Sequence, residues 1–230
     1  MCGRFTLTAS GKTISQAFDL NSTPNVEPRY NIAPSQPVLA VTVNGSRQVS
    51  TFRWGLVPFW AKDPKIGYRL INARSETVAE KPAFRQAFAR RRCIIVADGF
   101  YEWQVPAPGK KQKQPFYFYL QNRQPFGFAG LWEQWHSPNG EIVLSCTILT
   151  GAASGVTESV HHRMPLVVGH QDYGAWLDPG RSPLELQALI ASFHAENWVA
   201  HPVSRLVNDP RHDQPDCIKP DVAILDDLSE

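Results

Sequence analysis

The stretch Cys93-Ile-Ile-Val-Ala-Asp-Gly-Phe-Tyr-Glu-Trp103 joins the longest apolar run of the chain to a cluster of aromatic and acidic residues. Because Cys93–Ala97 contains no polar residue and is far too short for a membrane span, it predicts a buried β-strand. Glu102 follows between two aromatic residues, where burial would raise the pKa of its carboxyl group and suit it to acid–base chemistry. An exposed glutamate on an edge strand fits the same pattern, so both interpretations stay open.

Other runs rich in β-branched and aromatic residues lie on both sides of this stretch, at 38–43, 49–54, 116–120, 126–132 and 142–149. The first two flank Asn44-Gly45, which predicts a β-hairpin. The strands follow one another closely, without the strand–helix alternation of a parallel sheet. We therefore expect an α+β fold, a single domain with a largely antiparallel, barrel-like β-sheet and a few flanking helices.

Three segments have the apolar spacing of short helices. Thr13–Leu20 is the first, and Lys81–Arg92 is the second. Four arginines expected on the outer face of the second are Arg85, Arg90, Arg91 and Arg92. The third follows Ser182-Pro-Leu-Glu185, a capping box with proline at the first helical position, and is expected to reach about His194.

Length and composition indicate a protein with a full hydrophobic core, since the chain has 230 residues of which 43% are hydrophobic. The N-terminus lacks the basic and apolar regions of a signal peptide, and no apolar run spans a bilayer, so a cytoplasmic protein is expected. The four cysteines, Cys2, Cys93, Cys146 and Cys217, form no CxxC pair. Neither a disulfide framework nor a metal or other cofactor is therefore expected.

Charge is distributed unevenly along the chain, although the formal net charge is only +2. Residues 208–230 contain seven acidic and two basic side chains, so they carry a net −5 and the preceding body carries +7. A basic body permits a phosphate-bearing partner, but a solvated surface explains much of this charge equally well. The acidic segment is interpreted as a flexible, solubilising tail.

The opening residues, Met1-Cys-Gly-Arg-Phe5, place a cysteine next to the initiator methionine. If Met1 is removed, Cys2 carries a free amine and a thiol on adjacent carbons, which can react with an aldehyde to form an imine and then a thiazolidine ring. Ordinary pKa values of about 7.7–8.0 for the amine and about 8.5 for the thiol leave both groups partly deprotonated near neutrality, and nearby cations would increase that fraction. On Cys2 alone, a frayed terminus with an incidental cysteine is the simpler interpretation.

Two further polar motifs offer groups for chemistry. Asn72, Arg74 and Glu76 occupy every second position, so an extended backbone places all three on one face. A solvent-facing strand and a functional site explain this polar face equally well. His161-His-Arg163 lies between apolar runs and suits proton transfer or anion binding, although a lone histidine is more often structural.

Seven short motifs occur in an order and spacing that resemble the SOS-response-associated peptidase family across about residues 1–207. They are Met1-Cys-Gly-Arg-Phe5, Arg29-Tyr-Asn-Ile-Ala-Pro34, Trp54-Gly-Leu-Val-Pro58, Ile71-Asn-Ala-Arg-Ser-Glu76, Ala97-Asp-Gly-Phe-Tyr-Glu-Trp103, His161-His-Arg-Met-Pro165 and His201-Pro-Val-Ser204. Any one motif is weak evidence, whereas the ordered set is specific. The resemblance implies a catalytic and single-stranded-DNA-binding domain at 1–207, an acidic tail at 208–230, and covalent shielding of abasic sites in single-stranded DNA.

The resemblance also implies roles for four catalytic residues. Cys2, freed by autocatalytic removal of Met1, becomes the thiazolidine that crosslinks the protein to DNA. The residue matching Glu102 is the acid and base for sugar-ring opening and for Met1 removal. His161 matches the residue that assists proton transfer at the imine stage and in lyase-type reversal of the crosslink. Asn72 matches the residue that holds the sugar and the N-terminal amine.

The same resemblance implies the DNA contacts. Arg4 and Arg74 match arginines that bind phosphates beside the lesion. Pro34, Trp60 and Trp103 match residues that stack on bases or wedge them apart. Ala61 is a departure, because some members carry a second tryptophan there. The expected partner is single-stranded DNA with abasic sites, bound by a monomer that associates with the nucleoid when on DNA.

Two rival functions fit part of the pattern. Glutamine amidotransferases of the N-terminal-nucleophile kind also begin Met-Cys-Gly, but they normally bring a second, synthetase domain, for which 230 residues leave no room. A non-catalytic single-strand-binding module would explain the arginines and tryptophans while leaving Cys2 idle. A covalent adduct with abasic DNA separates these alternatives.

Overall fold

Two β-sheets and a few short helices make up the structure, a computed structural model that describes residues 2–106, 112–193, 197–222 and 224. The strands are β1 (Arg4–Leu7), β2 (Arg29–Ile32), β3 (Pro37–Asn44), β4 (Ser46–Trp54), β5 (Asn72–Arg74), β6 (Arg92–Ala97), β7 (Gly99–Gln104), β8 (Gln114–Leu120), β9 (Phe126–His136), β10 (Ile142–Ala152), β11 (Arg163–Pro165), β12 (Val167–Val168) and β13 (Trp198–Pro202). The helices are α1 (Gly11–Ala17), α2 (Arg85–Arg90), α3 (Tyr173–Leu177) and α4 (Pro183–Ile190). Residues outside the described part include Met1, the end of the acidic segment and 107–111. The last of these belong to the stretch Pro106–Gln114, whose Pro, Gly, Lys and Gln content predicts a flexible basic hairpin loop.

The larger sheet closes on itself as a five-stranded barrel. Its strands pair in the order β10, β4, β3, β6 and β9, and β9 pairs again with β10. Every residue of β6 is buried, as the apolar run from Cys93 to Ala97 predicts. All pairings in the ring are antiparallel except β10 with β4, so the predicted α+β, largely antiparallel and barrel-like fold is confirmed.

The smaller sheet has the order β13, β8, β7, β1 and β2, so the N-terminal strand lies in its interior. The buried Asp98 carboxylate fixes the far end of β1, because it accepts hydrogen bonds from the Thr6 hydroxyl and from the backbone N–H groups of Thr8 and Ala9. Phe5 contacts the barrel through an edge-on packing against Trp54, with ring centroids 5.1 Å apart. The N-terminus is therefore anchored between the two sheets.

The predicted helices at the two ends of the chain are confirmed. Ser10 caps α1 by accepting from the Thr13 N–H, and α4 begins with the predicted capping box between Ser182 and Glu185. His194, where the last helix was expected to end, lies outside the described residues. None of the helices in the described part of the chain has the length and apolar character needed to cross a bilayer.

The prediction that Arg92 lies on the outer face of the second helix is wrong. The helix covers only Arg85–Arg90, and Arg92 is the first residue of β6. Its buried guanidinium donates to the carbonyl oxygens of Phe88, Trp176 and Asp178, so each of its three nitrogens has a partner inside the protein. Arg91 is also drawn inward, where it pairs with the buried carboxylate of Glu133 at 2.8 Å.

The described part of the acidic segment packs against the body through the buried side chain of Asn31. Its amide nitrogen donates to the carbonyl oxygens of Val207, Asp209 and His212. The Asp213 carboxylate in turn accepts from the backbone N–H groups of Tyr30 and Asn31. Buried polar groups of β2 thus hold residues 207–213 in place.

Candidate active site and nucleic-acid interface

Cys2 is fully buried at the start of the smaller sheet. Its carbonyl oxygen accepts a hydrogen bond of 2.7 Å from the Asn72 side-chain nitrogen. Its thiol lies 3.7 Å from the carbonyl oxygen of Arg4. A frayed N-terminus is therefore wrong for Cys2, which is held in a defined position.

The expectation that cations would ionise the Cys2 thiol is not met in the unprocessed chain. Burial raises the pKa of the thiol, and the neighbouring Glu102 carboxylate raises it further. Desolvation and a nearby negative charge both disfavour a thiolate. The thiol therefore stays protonated at neutral pH, and its reaction requires a neighbouring group to take the proton.

Glu102 lies on β7, between β8 and β1, and only 3% of its surface is exposed. Tyr101 pairs with Arg4 in the register of β7 and β1, so Glu102 comes one residue beyond, beside Gly3 and Cys2. Burial raises the pKa of the carboxyl group, and the positive charge of the chain's amino terminus opposes that shift. The interpretation as an exposed edge-strand residue is wrong, and the acid form of Glu102 persists to higher pH than usual.

Asn72 reaches the same place from the larger sheet. It begins β5, which pairs in parallel with β10 through Asn72 and Ile148. Its nitrogen is committed to Cys2, whereas its oxygen is buried without a hydrogen-bond partner among the described residues. An unpaired buried acceptor is costly, so this oxygen is suited to accept from an amine or a sugar hydroxyl placed beside Cys2.

His161 lies just before β11, in the loop that follows the 3-10 turn at 155–157. Its Nδ1 atom lies 3.0 Å from the backbone nitrogen of Arg163 and 3.1 Å from the carbonyl oxygen of the same residue. Burial lowers the pKa of the imidazole, and the charge of the amino terminus lowers it further. The ring is therefore largely neutral at neutral pH, and exposed His162 stacks on it at 4.4 Å between centroids.

The two arginines with an implied phosphate role have different surroundings. Arg4 donates to the Asn31 side-chain oxygen at 2.8 Å and to the carbonyl oxygens of Val207 and Asn208 at 2.5 and 3.2 Å. Arg74 is exposed, and its guanidinium has no hydrogen bond or ion pair to the described residues. Of these two arginines, only Arg74 has a guanidinium without a protein partner among the described residues, so only Arg74 can bind a phosphate without first breaking a hydrogen bond.

The aromatic residues with an implied stacking role are also placed differently. Trp60 is 47% exposed beside Phe59, which is 53% exposed, and both line a surface cavity of about 390 Å³ together with Arg85. Trp103 is half-buried, and its indole N–H donates to the Asn208 side-chain oxygen at 2.7 Å. Pro34 is also half-buried, next to Ser35, which has a positive φ of 73°.

Ala61, the departure from the family pattern, faces the interior. It is 8% exposed and packs with Val57 and Trp135. Its carbonyl oxygen accepts the Trp135 indole N–H at 2.7 Å. Phe59 and Trp60 therefore form the exposed aromatic pair in this segment, and position 61 does not contribute to it.

A family model described as SOS response associated peptidase (SRAP) matches residues 1–210. The chain belongs to the SRAP family. The predicted resemblance is confirmed, and Cys2, Asn72, Glu102 and His161 lie within the matched region of this SRAP protein.

Curated relatives match nearly the whole chain. "Abasic site processing protein YoqW" of Bacillus subtilis is 42% identical over 224 residues, which cover 95% of this chain and 99% of the relative. "Abasic site processing protein HMCES" of Xenopus tropicalis is 33% identical and covers 84% of this chain, which spans 66% of that longer protein. A crystal structure from Bacteroides thetaiotaomicron has a TM-score of 0.83 at 25% identity, over 95% of this chain and 99% of that one.

One group of side chains in the described part of this SRAP protein has the composition of a metal site. The ligating atoms of His212, Asp216 and Cys217 lie within 4.8 Å of one another. Each already has a protein partner, since His212 and Asp216 bond to each other at 2.9 Å and the Cys217 thiol donates to the His212 carbonyl oxygen. Hydrogen bonding alone accounts for the cluster, which lies in the packed acidic segment.

Sequence reasoning missed Asn31, Phe59 and Asn208. Asn31 and Asn208 bond to Arg4, and Asn208 also bonds to Trp103. Asn31 lies in one of the seven motifs, but nothing in the sequence pairs Asn31 or Asn208 with Arg4, because they are separated from it by 27 and 204 positions. Phe59 had a local signal, since it adjoins Trp60 in an aromatic pair.

Proposed function

We propose that this SRAP protein senses abasic sites in single-stranded DNA and shields them through a thiazolidine crosslink to Cys2, after autocatalytic removal of Met1. The observation that carries the proposal is the burial of Cys2 against Asn72 and beside Glu102. A cysteine with no chemical role would not need a buried carboxyl group and a half-satisfied amide around it. The names of the relatives, abasic site processing proteins, support the same assignment.

Glu102 is assigned the proton transfers of the first step. Hydrolysis of the Met1–Cys2 peptide bond consumes one water and releases methionine and the Cys2 amine. The Glu102 carboxylate takes a proton from the attacking water and returns it to the departing amine. A raised pKa suits this group to both roles near neutral pH.

The crosslink then forms in two additions. Glu102 in its acid form protonates the ring oxygen of the abasic sugar, which opens the hemiacetal to an aldehyde. The Cys2 amine attacks the C1′ carbon and one water leaves to give an imine, to which the thiol adds without further loss of atoms. His161 takes the thiol proton and delivers it to the nitrogen, while Asn72 holds the sugar and the amine.

The DNA contacts are assigned according to exposure. Arg74 binds a phosphate beside the lesion, and Trp60, Phe59 and Pro34 contact the flanking bases. Arg4 and Trp103 border the same face but are already bonded to Asn208, so we assign them to holding that face in shape. The bound DNA would place this protein on the nucleoid.

Intact-mass spectrometry tests the proposal. The purified protein is expected to lack Met1, and incubation with an abasic single-stranded oligonucleotide should add the mass of the oligonucleotide minus one water. Cys2→Ala should give no adduct, and Cys93→Ala, which removes another buried thiol, serves as the matched control that still reacts.

The same experiment distinguishes the rivals. An adduct that survives denaturation and depends on Cys2 supports the crosslinker. Glutaminase activity without an adduct would identify an amidotransferase, and salt-labile binding alone would identify a non-catalytic single-strand-binding module. Glu102→Gln should slow both Met1 removal and crosslinking by about 10²- to 10⁴-fold while leaving noncovalent binding intact.

A further inference from the structure

Arg163 links the strand that carries Asn72 to the loop that carries His161. Its guanidinium forms two parallel hydrogen bonds to the Glu76 carboxylate, of 2.5 and 2.9 Å, and also donates to the Thr150 carbonyl oxygen at 2.6 Å. Glu76 follows β5, Arg163 begins β11, and both strands pair with β10 at Thr150. The pair therefore joins three strands at one point.

The geometry of this pair is tighter than that of an ordinary surface ion pair. The Arg163 side chain is only 11% exposed, although Glu76 is 52% exposed. The two-point contact fixes the orientation of both planar groups, which a single contact does not do. The Arg163 hydrogen bonds lower the pKa of Glu76, so the pair stays charged throughout the range in which histidine titrates.

The backbone of Arg163 serves His161 in either protonation state. Taking the thiol proton requires a neutral ring with its own proton on Nδ1, and in that tautomer Nδ1–H donates to the Arg163 carbonyl oxygen at 3.1 Å. The protonated ring keeps this contact, so the proton is gained and lost at Nε2, while the Arg163 backbone nitrogen lies 3.0 Å from Nδ1 on the same edge of the ring. The imidazole can thus gain and lose a proton without turning.

We propose that Glu76 and Arg163 are positioning residues for His161, holding the Arg163 backbone where it orients the imidazole in both protonation states. The inference rests on the proposed function for its kinetic consequence only. It also explains why Arg163 belongs to the motif His161-His-Arg163 although its guanidinium is turned toward Glu76. In the DNA-free protein the Arg163 guanidinium is paired with Glu76.

Glu76→Gln tests the proposal because it keeps the shape of the side chain and removes its charge. Asp19→Asn is the matched control, since Asp19 is 55% exposed and pairs with Arg47 at 2.6 Å, away from His161. Asn also tolerates the positive φ of 52° at position 19. At saturating abasic DNA, Glu76→Gln should form the crosslink about 10-fold more slowly, while Asp19→Asn keeps the wild-type rate.

Nitrogen chemical shifts of the His161 ring give a readout that does not depend on crosslinking. The wild type and Asp19→Asn should show the tautomer protonated at Nδ1, and Glu76→Gln should show a mixture of tautomers. His161→Asn identifies the signal by its disappearance. A merely stabilising ion pair would lower the midpoint of thermal unfolding in both variants and leave the tautomer unchanged, which would overturn the proposal.

Two other outcomes would also overturn it. One is crosslinking by Glu76→Gln at the wild-type rate. The other is tighter noncovalent binding of single-stranded DNA by Glu76→Gln, measured in a Cys2→Ala background, without slower crosslinking in the Cys2 protein. That result would make Arg163 a phosphate ligand restrained by Glu76. If the wild type itself forms no crosslink, the proposed function fails, and the His161 tautomer decides the positioning role by itself.

Discussion

Arg4 and Arg74 have the same implied role but occupy opposite kinds of environment. Arg4 is partly buried and bonded to Asn31, Val207 and Asn208, whereas Arg74 is exposed with no partner among the described residues. The same contrast separates Glu102, enclosed by the sheet, from Trp60 on the surface. Residues whose partners lie inside the protein should affect folding when changed, and residues whose partners lie outside should affect binding.

Arg4→Ala should have the largest effect of the four changes. It removes the donor to the side-chain oxygen of Asn31 and to the carbonyl oxygen of Asn208, and one of the two donors to the carbonyl oxygen of Val207. Loss of charged hydrogen bonds and the resulting unsatisfied acceptors should lower the free energy of unfolding by about 2–4 kcal/mol, measured by urea denaturation. An unchanged midpoint of urea unfolding would contradict the assignment of Arg4 to the protein interior. Arg4→Lys keeps the positive charge but not the planar guanidinium, and so tests whether the charge alone maintains stability.

Trp60→Ala should weaken binding rather than folding. Stacking of a base on an aromatic ring contributes about 1–3 kcal/mol, so the affinity for single-stranded DNA should fall roughly 5- to 150-fold. The unfolding midpoint should stay close to that of the wild type, because the ring is half exposed. Fluorescence anisotropy with a labelled oligonucleotide measures the affinity, and Tyr68→Ala, an exposed aromatic on another part of the loop, is the control.

Arg74→Ala should change the salt dependence of binding. Each phosphate contact to a single strand contributes about 0.7 to the slope of log affinity against log salt, so the magnitude of the slope should fall by about that amount. Surface substitutions usually change stability by less than about 0.5 kcal/mol, so folding should be unaffected. A slope equal to that of the wild type would show that Arg74 contacts no phosphate, and Arg90→Ala provides a control at another exposed arginine.

The difference between Arg4 and Arg74 also marks how far the sequence could predict this protein. Local patterns were sufficient for the Asn44-Gly45 hairpin, the buried run Cys93–Ala97 and the capping box at Ser182, since each depends on neighbouring residues. The surroundings of Arg92 were not predictable in that way, because its partners are carbonyl groups of α2, of α3 and of the residue that follows α3.

The candidate site shows the same division. The motifs predict that Cys2 and Glu102 act together, but the protonated state of the thiol follows from burial, which depends on how two sheets pack. The orientation of Asn72 likewise depends on the pairing of β5 with β10. The raised pKa of Glu102 was one of two interpretations that the sequence left open, whereas the protonated state of the Cys2 thiol was not predictable from local pattern.

Glu102→Gln should change stability less than Arg4→Ala does, and the sign of the change should depend on pH. Burial raises the pKa of the carboxyl group in the folded protein, so folding favours the protonated form and the charged form destabilises the fold. The stability associated with the acid form is complete below the unfolded pKa and is lost as pH rises through the folded pKa.

At pH 8 the neutral amide should accordingly raise the unfolding midpoint above that of the wild type, and the gain should vanish at pH 4, where both side chains are uncharged. Each kcal/mol gained corresponds to about 2–4 °C for a chain of this size. A midpoint for Glu102→Gln below that of the wild type at pH 8 would mean that the carboxylate is stabilised by its surroundings. Glu102 would then belong with the structural interior, as Arg4 does, and not with a site that holds a destabilised acid for its chemistry.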